Sequence, residues 1–452
     1  MERKKDDVLA LGNEIVSEGL SRGIDDIEVY YQDVDSQEVV IEKNDLQLPK
    51  ADKYKGIGVR VCKDMRIGFA ATNDMETNSS KNLLDEALIL AQNSPPDRNN
   101  VFPAKANLSE VKDIYDSEGA EIELNNLIEI SKDFMTEIKK DDRVMVESAS
   151  FSANIINNAI FTSKGISSQY QKTFFSAQAL SFAREKELVS SFDIEYLASC
   201  FLQDLSIKKS AARLRDKVVA SLGAEPVESF KGEILLTPFA AVSLIMRPIV
   251  FAINSENVQN GISPWKNKLT ERVSSNKLTI HDDGTEAGGI GSKKFDREGV
   301  FPEKFTVIEK GILQELLYNS YTAHRAGRKS NGRAAGGAQS TPGISPGNLI
   351  VAPGKKSSKD LIKDIKKGLL VNRYSGSVDP VSGDFSGVVK GGELIVQGKR
   401  KQPVREVMIS GNIYDILDQI IGISQNREDI MNYKLPYMLF SDISITGKNS
   451  LN

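Results

Sequence analysis

The first half of the chain shows helical and strand periodicities in a definite order. Apolar residues at Val8, Leu11 and Ile15 lie on one side of a predicted helix, and Gly23 can end it. A second helix is predicted over 79–93, where two prolines follow. Strand-like runs are predicted between these helices at 27–31, 38–42, 56–62 and 66–72, with 63–65 as a hairpin turn. The segment predicts a helix–sheet unit.

The same order of elements follows a second time. Helices are predicted over 121–139 and 204–222, each with one apolar stripe. Strand-like runs lie between them at 144–151, 154–162, 167–183 and 190–200. Helix, strands and helix, twice over, predict an N-terminal α+β domain over 1–223 with an antiparallel sheet. Its sub-segments, about 1–100 and 118–223, are candidates for a structural duplication.

The pattern changes after residue 224. Glycine and proline become frequent, and short alternating runs replace most helices, although helices are still predicted over 238–251 and 358–369. The strand-like runs include 303–309, 347–351, 393–396 and 405–410. Short strands with regular turn signals predict a mostly β, sandwich- or barrel-like C-terminal domain over 224–452. The fold class is therefore predicted to be α+β.

Composition narrows the function classes. The 452 residues include 58 Lys+Arg and 62 Asp+Glu, a net charge of -4, which disfavours a dedicated nucleic-acid binder. The two cysteines cannot form a disulfide framework, and we expect both to be small buried hydrophobes. The longest apolar stretch, 240–253, is interrupted by Ser243, Arg247 and Pro248, and it is shorter than the roughly 20 residues of a membrane span. With no apolar signal segment near the start, we expect a cytoplasmic protein.

The histidines and acidic residues give no complete metal or catalytic motif. His281 and His324 are too far apart for a zinc-binding helix pair, and each is predicted to be a surface or loop residue. No nucleophile elbow or phosphate-binding loop is present. Asp282 and Asp283 precede Gly284, which favours a turn; a calcium or acid–base site needs oxygen ligands that converge in space.

One segment combines cations with glycines. The basic loop, residues 323–339, contains Arg325, Arg328, Lys329 and Arg333 among small residues. A glycine-rich backbone allows close approach of an extended ligand, and arginines can pair with carboxylates or phosphates. The alternative is a solvated loop that is merely basic.

A series of short motifs in the C-terminal half carries a family resemblance. The motifs occur in this order, at 279–285, 295–299, 307–313, 317–319, 323–332, 379–386, 403–407 and 409–412. Together they resemble the TldD/PmbA family of metalloprotease-like proteins, once called modulators of DNA gyrase. The resemblance covers 225–448, and the N-terminal helix–sheet pattern is compatible with it.

The departures from the family pattern indicate a branch. The TldD branch has a His-Glu-x-x-x-His helix after the strand that opens the C-terminal domain, and a late cysteine. Here the strand at 232–236 leads into 242–248, which has neither His nor Glu, and no cysteine occurs in 425–435. With all three expected zinc ligands missing, the chain is similar to the TldE (PmbA) branch. We therefore expect no catalytic residue, no metal and no cofactor on this chain.

The resemblance implies a partner and a substrate. It implies a heterodimer with a TldD-like homologue that carries zinc and cleaves unfolded peptides, while this chain shapes the substrate channel; a homodimer is the alternative when that partner is absent. A membrane is not expected as a partner, and nucleic acid is disfavoured. The predicted peptide-binding residues are Arg325, Arg328, Lys329, Ser330, Asn331, Gly332, Arg333, Asp379, Gly383 and Asp384.

Two other functions remain open from sequence alone. The chain could be a self-sufficient hydrolase that uses carboxylates such as Asp282, Asp283 or Asp384. It could instead be a nucleic-acid-binding or gyrase-associated protein that uses the basic loop.

Overall fold

A computed structural model describes residues 2–74, 77–105 and 107–448. Within those ranges the α-helices are Glu2–Ser21, Thr77–Asn93, Leu124–Ile138, Ile207–Ala220, Pro238–Ala241, Arg247–Ile253, Ser255–Gln259, Ser320–Arg325, Ser358–Asp364 and Ile413–Ile416. A π-helical turn, Val242–Met246, joins Pro238–Ala241 to Arg247–Ile253. The resulting continuous helix over 238–253 is called the groove helix. No helix among the described residues is long and apolar enough to cross a membrane.

The N-terminal sheet is antiparallel and, in the described residues, has eight strands. They are Asp26–Glu42, Asp45–Leu46, Lys50–Lys63, Arg66–Thr72, Val144–Thr162, Ser167–Glu185, Leu188–Val189 and Asp193–Ser199. Strands Asp26–Glu42 and Val144–Thr162 pair at the centre, and each begins a set of three long antiparallel strands flanked by two helices. The two halves therefore have the same element order, as the sequence suggested.

The central strands are longer than the hydrophobic pattern predicts. The runs 27–31 and 38–42 form one strand, and 144–151 and 154–162 form another. Polar residues between the runs are paired across the sheet. Gln32 Nε2 donates to Asn158 Oδ1 at 3.1 Å, and Ser36 Oγ donates to Asn154 Oδ1 at 2.8 Å. Cross-strand hydrogen bonding thus keeps polar positions in the strand where alternation is lost.

The C-terminal sheet is mixed and has thirteen strands in the described residues. They are Phe230–Leu236, Ile280–Asp283, Lys304–Glu309, Ile312–Leu313, Asn348–Val351, Lys367–Val371, Arg373–Val378, Asp384–Lys390, Gly392–Val396, Lys399–Val404, Met408–Asn412, Ile420–Ile430 and Tyr433–Thr446. Its main path runs from Ile312–Leu313 to Lys399–Val404 without closing. The sandwich- or barrel-like prediction is therefore corrected to one large, open, mixed sheet.

The predicted helix over 358–369 is wrong at its end. The helix stops at Asp364, and Lys367–Val371 is a strand that runs parallel to Phe230–Leu236. Gly368 permits this pairing, because a Cβ there would come within 2.1 Å of the Glu233 carbonyl oxygen. Leu369 and Val371 are buried in the C-terminal core. Burial against a partner strand has overridden the local helical pattern.

Four buried charges, the junction cluster, join the two sheets. Glu28, in the N-terminal sheet, accepts from Arg60 Nη2 at 2.7 Å and from Arg297 Nη1 at 2.6 Å. Arg60 also donates to Glu298 Oε1 at 3.0 Å. Arg297 and Glu298 belong to the C-terminal half, so the ion pairs fix one half against the other. Cys62 and Cys200 are buried and unpaired, as predicted.

Candidate functional site

The groove helix follows directly from the first strand of the C-terminal sheet. Thr237 caps it, because its Oγ1 accepts from the Ala240 N–H at 3.3 Å, and Pro238 occupies the first helical position. Leu244 and Ile245 are fully buried in the C-terminal core. Ser243 is half-buried and Arg247 is exposed, so these two polar residues face outward from an otherwise apolar helix.

A π-helical turn lies at the place where the resemblance puts zinc ligands. The Arg247 N–H donates to the Val242 carbonyl, a separation of five residues. In an α-helix, two residues five apart point about 140° away from each other, whereas a π turn brings them to one face. Here the two residues joined by the π-helical hydrogen bond are Val242 and Arg247. An apolar side chain and a guanidinium cannot replace the His, Cys or carboxylate ligands of zinc, so the residues present do not fit the metal.

The late hairpin, where the resemblance expects a cysteine, reaches the same region. It consists of Ile420–Ile430 and Tyr433–Thr446. Burial raises the pKa of Tyr433, and the nearby charge of Arg247 opposes that rise. In the part of the chain that the structure describes, no group of three or more His, Cys, Asp or Glu side chains is arranged to hold a metal ion.

Opposite the groove helix lies a strand with one open edge. This edge strand, Arg373–Val378, pairs with Asp384–Lys390 and with no other strand among the described residues. The Val389 N–H donates to the Val407 carbonyl, on the side of strand Asp384–Lys390 that faces away from the edge strand. Tyr374, which lies opposite Val389, is therefore in a pair without backbone hydrogen bonds. By alternation, the backbone N–H and C=O groups of Tyr374, Gly376 and Val378 point away from the paired strand. Tyr374 is buried, whereas Gly376 is exposed and Val378 is half-buried, so the groups of Gly376 and Val378 can bond another extended chain.

The groove helix and the edge strand run side by side in the same direction. At one end, Thr237 Oγ1 donates to the Asn372 carbonyl at 2.8 Å. At the other end, the Tyr414 hydroxyl donates to the carbonyls of Pro380 at 2.6 Å and Pro248 at 3.5 Å. Along these two elements lies a groove of about 590 Å³ that extends past Pro248, lined by Ser243, Arg247, Pro248, Phe251, Tyr374, Ser375, Gly376, Val378 and Pro380. Its size is that of a ligand pocket.

Three of the predicted peptide-binding residues, Asp379, Gly383 and Asp384, build the turn that follows the edge strand. Asp379 Oδ1 accepts from the N–H groups of Val381 at 2.8 Å and Ser382 at 3.3 Å, and these bonds lower its pKa. Gly383 has φ +86°, which favours glycine. Asp384 accepts from Asn412 Nδ2 at 3.0 Å. Each has a role in shaping the turn beside the groove.

The exposed part of the basic loop lies beside the N-terminal half. Arg325, Arg328 and Lys329 are exposed, and Arg328 pairs with Glu315 at 2.8 Å. His324, next to them, is exposed as predicted and contacts Asn99 Oδ1 at 3.1 Å through Nδ1. Arg325 and Lys329 are therefore available to a ligand at the surface, whereas Arg328 is paired.

The rest of the basic loop is folded into the protein. Ser330 donates to the Tyr318 carbonyl at 3.2 Å, and Asn331 donates to the Leu316 carbonyl at 2.8 Å. Gly332 has φ +74°, and a Cβ there would come within 2.4 Å of the Phe301 carbonyl oxygen. Arg333 is fully buried and pairs with Asp282 at 2.7 Å. The side chains of Asn331 and Arg333 serve internal bonds.

The predicted turn at 282–284 is wrong for its two carboxylates. Asp282 and Asp283 lie in strand Ile280–Asp283, and both are buried. Neighbouring strand residues point to opposite faces, so the two carboxylates do not form a pair. Asp283 pairs with Lys304 at 2.8 Å. His281 lies in the same strand, not in a loop, and contacts Thr306 Oγ1 at 3.0 Å through Nδ1.

Sequence reasoning missed the groove residues. The signal was present in 240–253, where Ser243 and Arg247 interrupt an apolar helix four residues apart, which is the spacing of one helix face. The open edge of Arg373–Val378 left no such signal, because strand pairing depends on the whole sheet.

Comparison with known proteins places the chain in a family. Residues 229–447 match the PmbA/TldA metallopeptidase C-terminal domain, and residues 27–91 match the PmbA/TldA metallopeptidase domain 1. A Metalloprotease PmbA homolog from Buchnera aphidicola is 25% identical over 440 residues, covering 95% of each chain.

Solved structures show the same fold. TldE from Thermococcus kodakarensis has a TM-score of 0.87 at 22% identity, covering 97% of this chain and 100% of that one. A Thermotoga maritima protein, described as a candidate modulator of a DNA gyrase, has a TM-score of 0.89 at 23% identity, covering 97% and 99%. The matched domains together span more than half of the sequence, and the C-terminal match covers the region in which the motifs occur. The chain belongs to the PmbA/TldD metallopeptidase family.

Proposed function

We propose that this chain is a TldE/PmbA-like subunit that binds unfolded peptide and completes the substrate channel of a zinc-bearing, TldD-like partner in the cytoplasm. The observation that carries the proposal is the open edge of strand Arg373–Val378, which faces a groove beside the groove helix. An extended peptide can add to such an edge through main-chain hydrogen bonds. This mode of binding selects for unfolded chains and accepts many sequences.

In this proposal the two chains have different roles, because this chain has no zinc ligands on its groove helix. Zinc-dependent hydrolysis needs a metal-bound water and a general base. The groove helix offers Ser243 and Arg247 in their place. A partner with the His-Glu-x-x-x-His helix and the late cysteine supplies the missing chemistry, while this chain holds the substrate.

Substitution of Val378 by proline tests the open edge. The Val378 N–H faces the groove, so proline removes one outward donor and leaves the ladder to Asp384–Lys390 intact. We expect a fluorescein-labelled, unstructured eight-residue peptide to bind about tenfold more weakly, because a main-chain bond is lost and the proline ring obstructs the edge.

The matched control is Val378→Ala, which shortens the side chain but keeps the N–H. Anisotropy titrations should give an affinity close to that of the unaltered chain, with both variants showing the same unfolding midpoint. Equal binding by the proline and alanine variants would contradict strand addition at this edge.

The partner is tested by co-expression with a His-Glu-x-x-x-His homologue from the same genome. We expect the two chains to co-purify, with peptidase activity that needs both and is lost on chelation of zinc. Stoichiometric zinc together with peptidase activity in the isolated chain would contradict the proposal.

The two alternative functions have less structural support. A hydrolase based on Asp282 or Asp283 requires a free carboxylate, but each is ion-paired, and Asp384 is bonded to Asn412. In the basic loop, Arg333 is buried and Arg328 is paired with Glu315, so neither side chain is free to bind nucleic-acid phosphates.

A further inference from the structure

The groove combines an extended-chain binding edge with a single charged side chain. Among the described residues that line it, Arg247 is the one that carries a charge. The other lining side chains are aromatic, aliphatic, hydroxyl or proline groups. Arg247 is exposed and lies opposite the edge strand, so a bound peptide would bring its own side chains against this guanidinium.

The helix wall has a spacing that matches an extended peptide. Ser243, Arg247 and Phe251 all line the groove, four residues apart. Four residues of α-helix, as from Arg247 to Phe251, rise about 6 Å. Alternate residues of a strand are about 6.6 Å apart and point to the same face. Because the helix runs along the edge strand, three alternate residues of an added peptide face these three side chains in turn.

Arg247 lies in the middle of this wall. Ser243 lies one turn before it and Phe251 one turn after it, so the peptide continues past the guanidinium in both directions. A chain end at this point would leave half of the groove unfilled. The carboxylate that meets Arg247 is therefore that of an acidic side chain, not of a peptide terminus.

We infer that Arg247 is a specificity-determining residue that selects an Asp or Glu side chain at the centre of the bound peptide segment. This inference rests on the proposed peptide binding and adds the substrate class. Two residues away on either side of the acidic position, a small or polar side chain faces Ser243 and an apolar one faces Phe251. A hydrogen bond between a guanidinium and a carboxylate is stronger than one between neutral groups. It becomes stronger still when the bound peptide shields the two charges from water.

The experiment uses two pairs of labelled peptides and the full chain. The first peptide is Thr-Thr-Ser-Thr-Glu-Thr-Leu-Thr, and the second has Gln in place of Glu. Because a peptide can add in either direction, a second pair has Ser and Leu exchanged. In at least one pair we expect the Glu peptide to bind about tenfold more tightly than the Gln peptide, with the ratio falling as salt is raised.

Two variants locate the preference. Arg247→Met should bring the Glu-to-Gln affinity ratio to about one, and Arg247→Glu should reverse it in favour of a Lys peptide. Arg405→Met is the matched control, because Arg405 is exposed and lies outside the groove. It should retain the full preference for Glu.

The outcomes separate the two proposals. Equal binding of the Glu and Gln peptides by the unaltered chain overturns the role of Arg247 and leaves peptide binding at the edge standing. A preference that survives in Arg247→Met overturns it as well. If neither peptide binds, and Val378→Pro makes no difference, the proposed function fails and the inference falls with it.

Discussion

Replacement of Arg297 by methionine is expected to lower the free energy of unfolding by about 3–5 kcal/mol, which is typical when one partner of a buried ion pair is removed. Arg297 and Glu28 are each at most 2% exposed, and their charged atoms are 2.6 Å apart. Arg297 also donates to the carbonyls of Gly337 at 3.1 Å and Ser340 at 3.2 Å. Its loss leaves the buried Glu28 carboxylate with Arg60 as its remaining ion-pair partner, and it removes the guanidinium donor from the Ser340 carbonyl.

The measurement is urea denaturation followed by circular dichroism. Lys53→Met is the control, because Lys53 pairs with Asp35 at 2.7 Å on the surface, where an ion pair contributes less than about 1 kcal/mol. Since Arg297 ties the C-terminal half to the N-terminal sheet, we also expect proteolysis between the halves to become faster. A loss no larger than that of Lys53→Met would show that the junction cluster does not fix the two halves.

Replacement of Arg333 by methionine is expected to destabilise the chain by a similar amount, about 3–5 kcal/mol. Arg333 is fully buried, donates to Asp282 Oδ2 at 2.7 Å and to the Glu303 carbonyl at 2.5 Å, and lies 4.8 Å from the Phe305 ring centroid. Arg325→Ala and Lys329→Ala, in the exposed part of the basic loop, should change stability by less than about 0.5 kcal/mol.

The pH dependence distinguishes the loss of an ion pair from a packing defect. Burial raises the pKa of Asp282, while Arg333 opposes that rise. Without the guanidinium the pKa of Asp282 rises further, so the folded state holds a proton that the unfolded state releases. Stability then falls as pH rises through that range. Arg333→Met should therefore be more destabilised at pH 8 than at pH 5, and a deficit that is constant with pH would indicate packing alone.

The fold divides the cations of the basic loop into buried and exposed groups. Sequence alone treats Arg325, Arg328, Lys329 and Arg333 as equivalent cations among glycines. The fold separates them, because Arg333 meets a buried carboxylate on a neighbouring strand, and Arg325 and Lys329 remain at the surface. Peptide binding by the exposed pair remains a prediction, whereas the loss of Arg333 is expected to act through stability.

The sequence by itself determined the local elements and the family. Apolar periodicity located the four N-terminal helices, and the hairpin at 63–65 was predicted correctly, with Asp64 and Met65 at φ +51° and +62°. Ordered motifs over 279–412 indicated the family, and the missing ligands indicated the branch. Each of these signals lies within a few residues of sequence, where backbone sterics and side-chain chemistry act directly.

Only the tertiary structure decided how those elements combine. Whether the C-terminal strands close into a barrel, whether Lys367–Val371 is a helix or a strand, and which strand keeps an open edge all depend on pairing between distant segments. The same holds for Arg247, which becomes the charge of a groove because Arg373–Val378 lies opposite it. Hydrogen bonds and burial between remote residues set these outcomes, and local propensity is too small to override them.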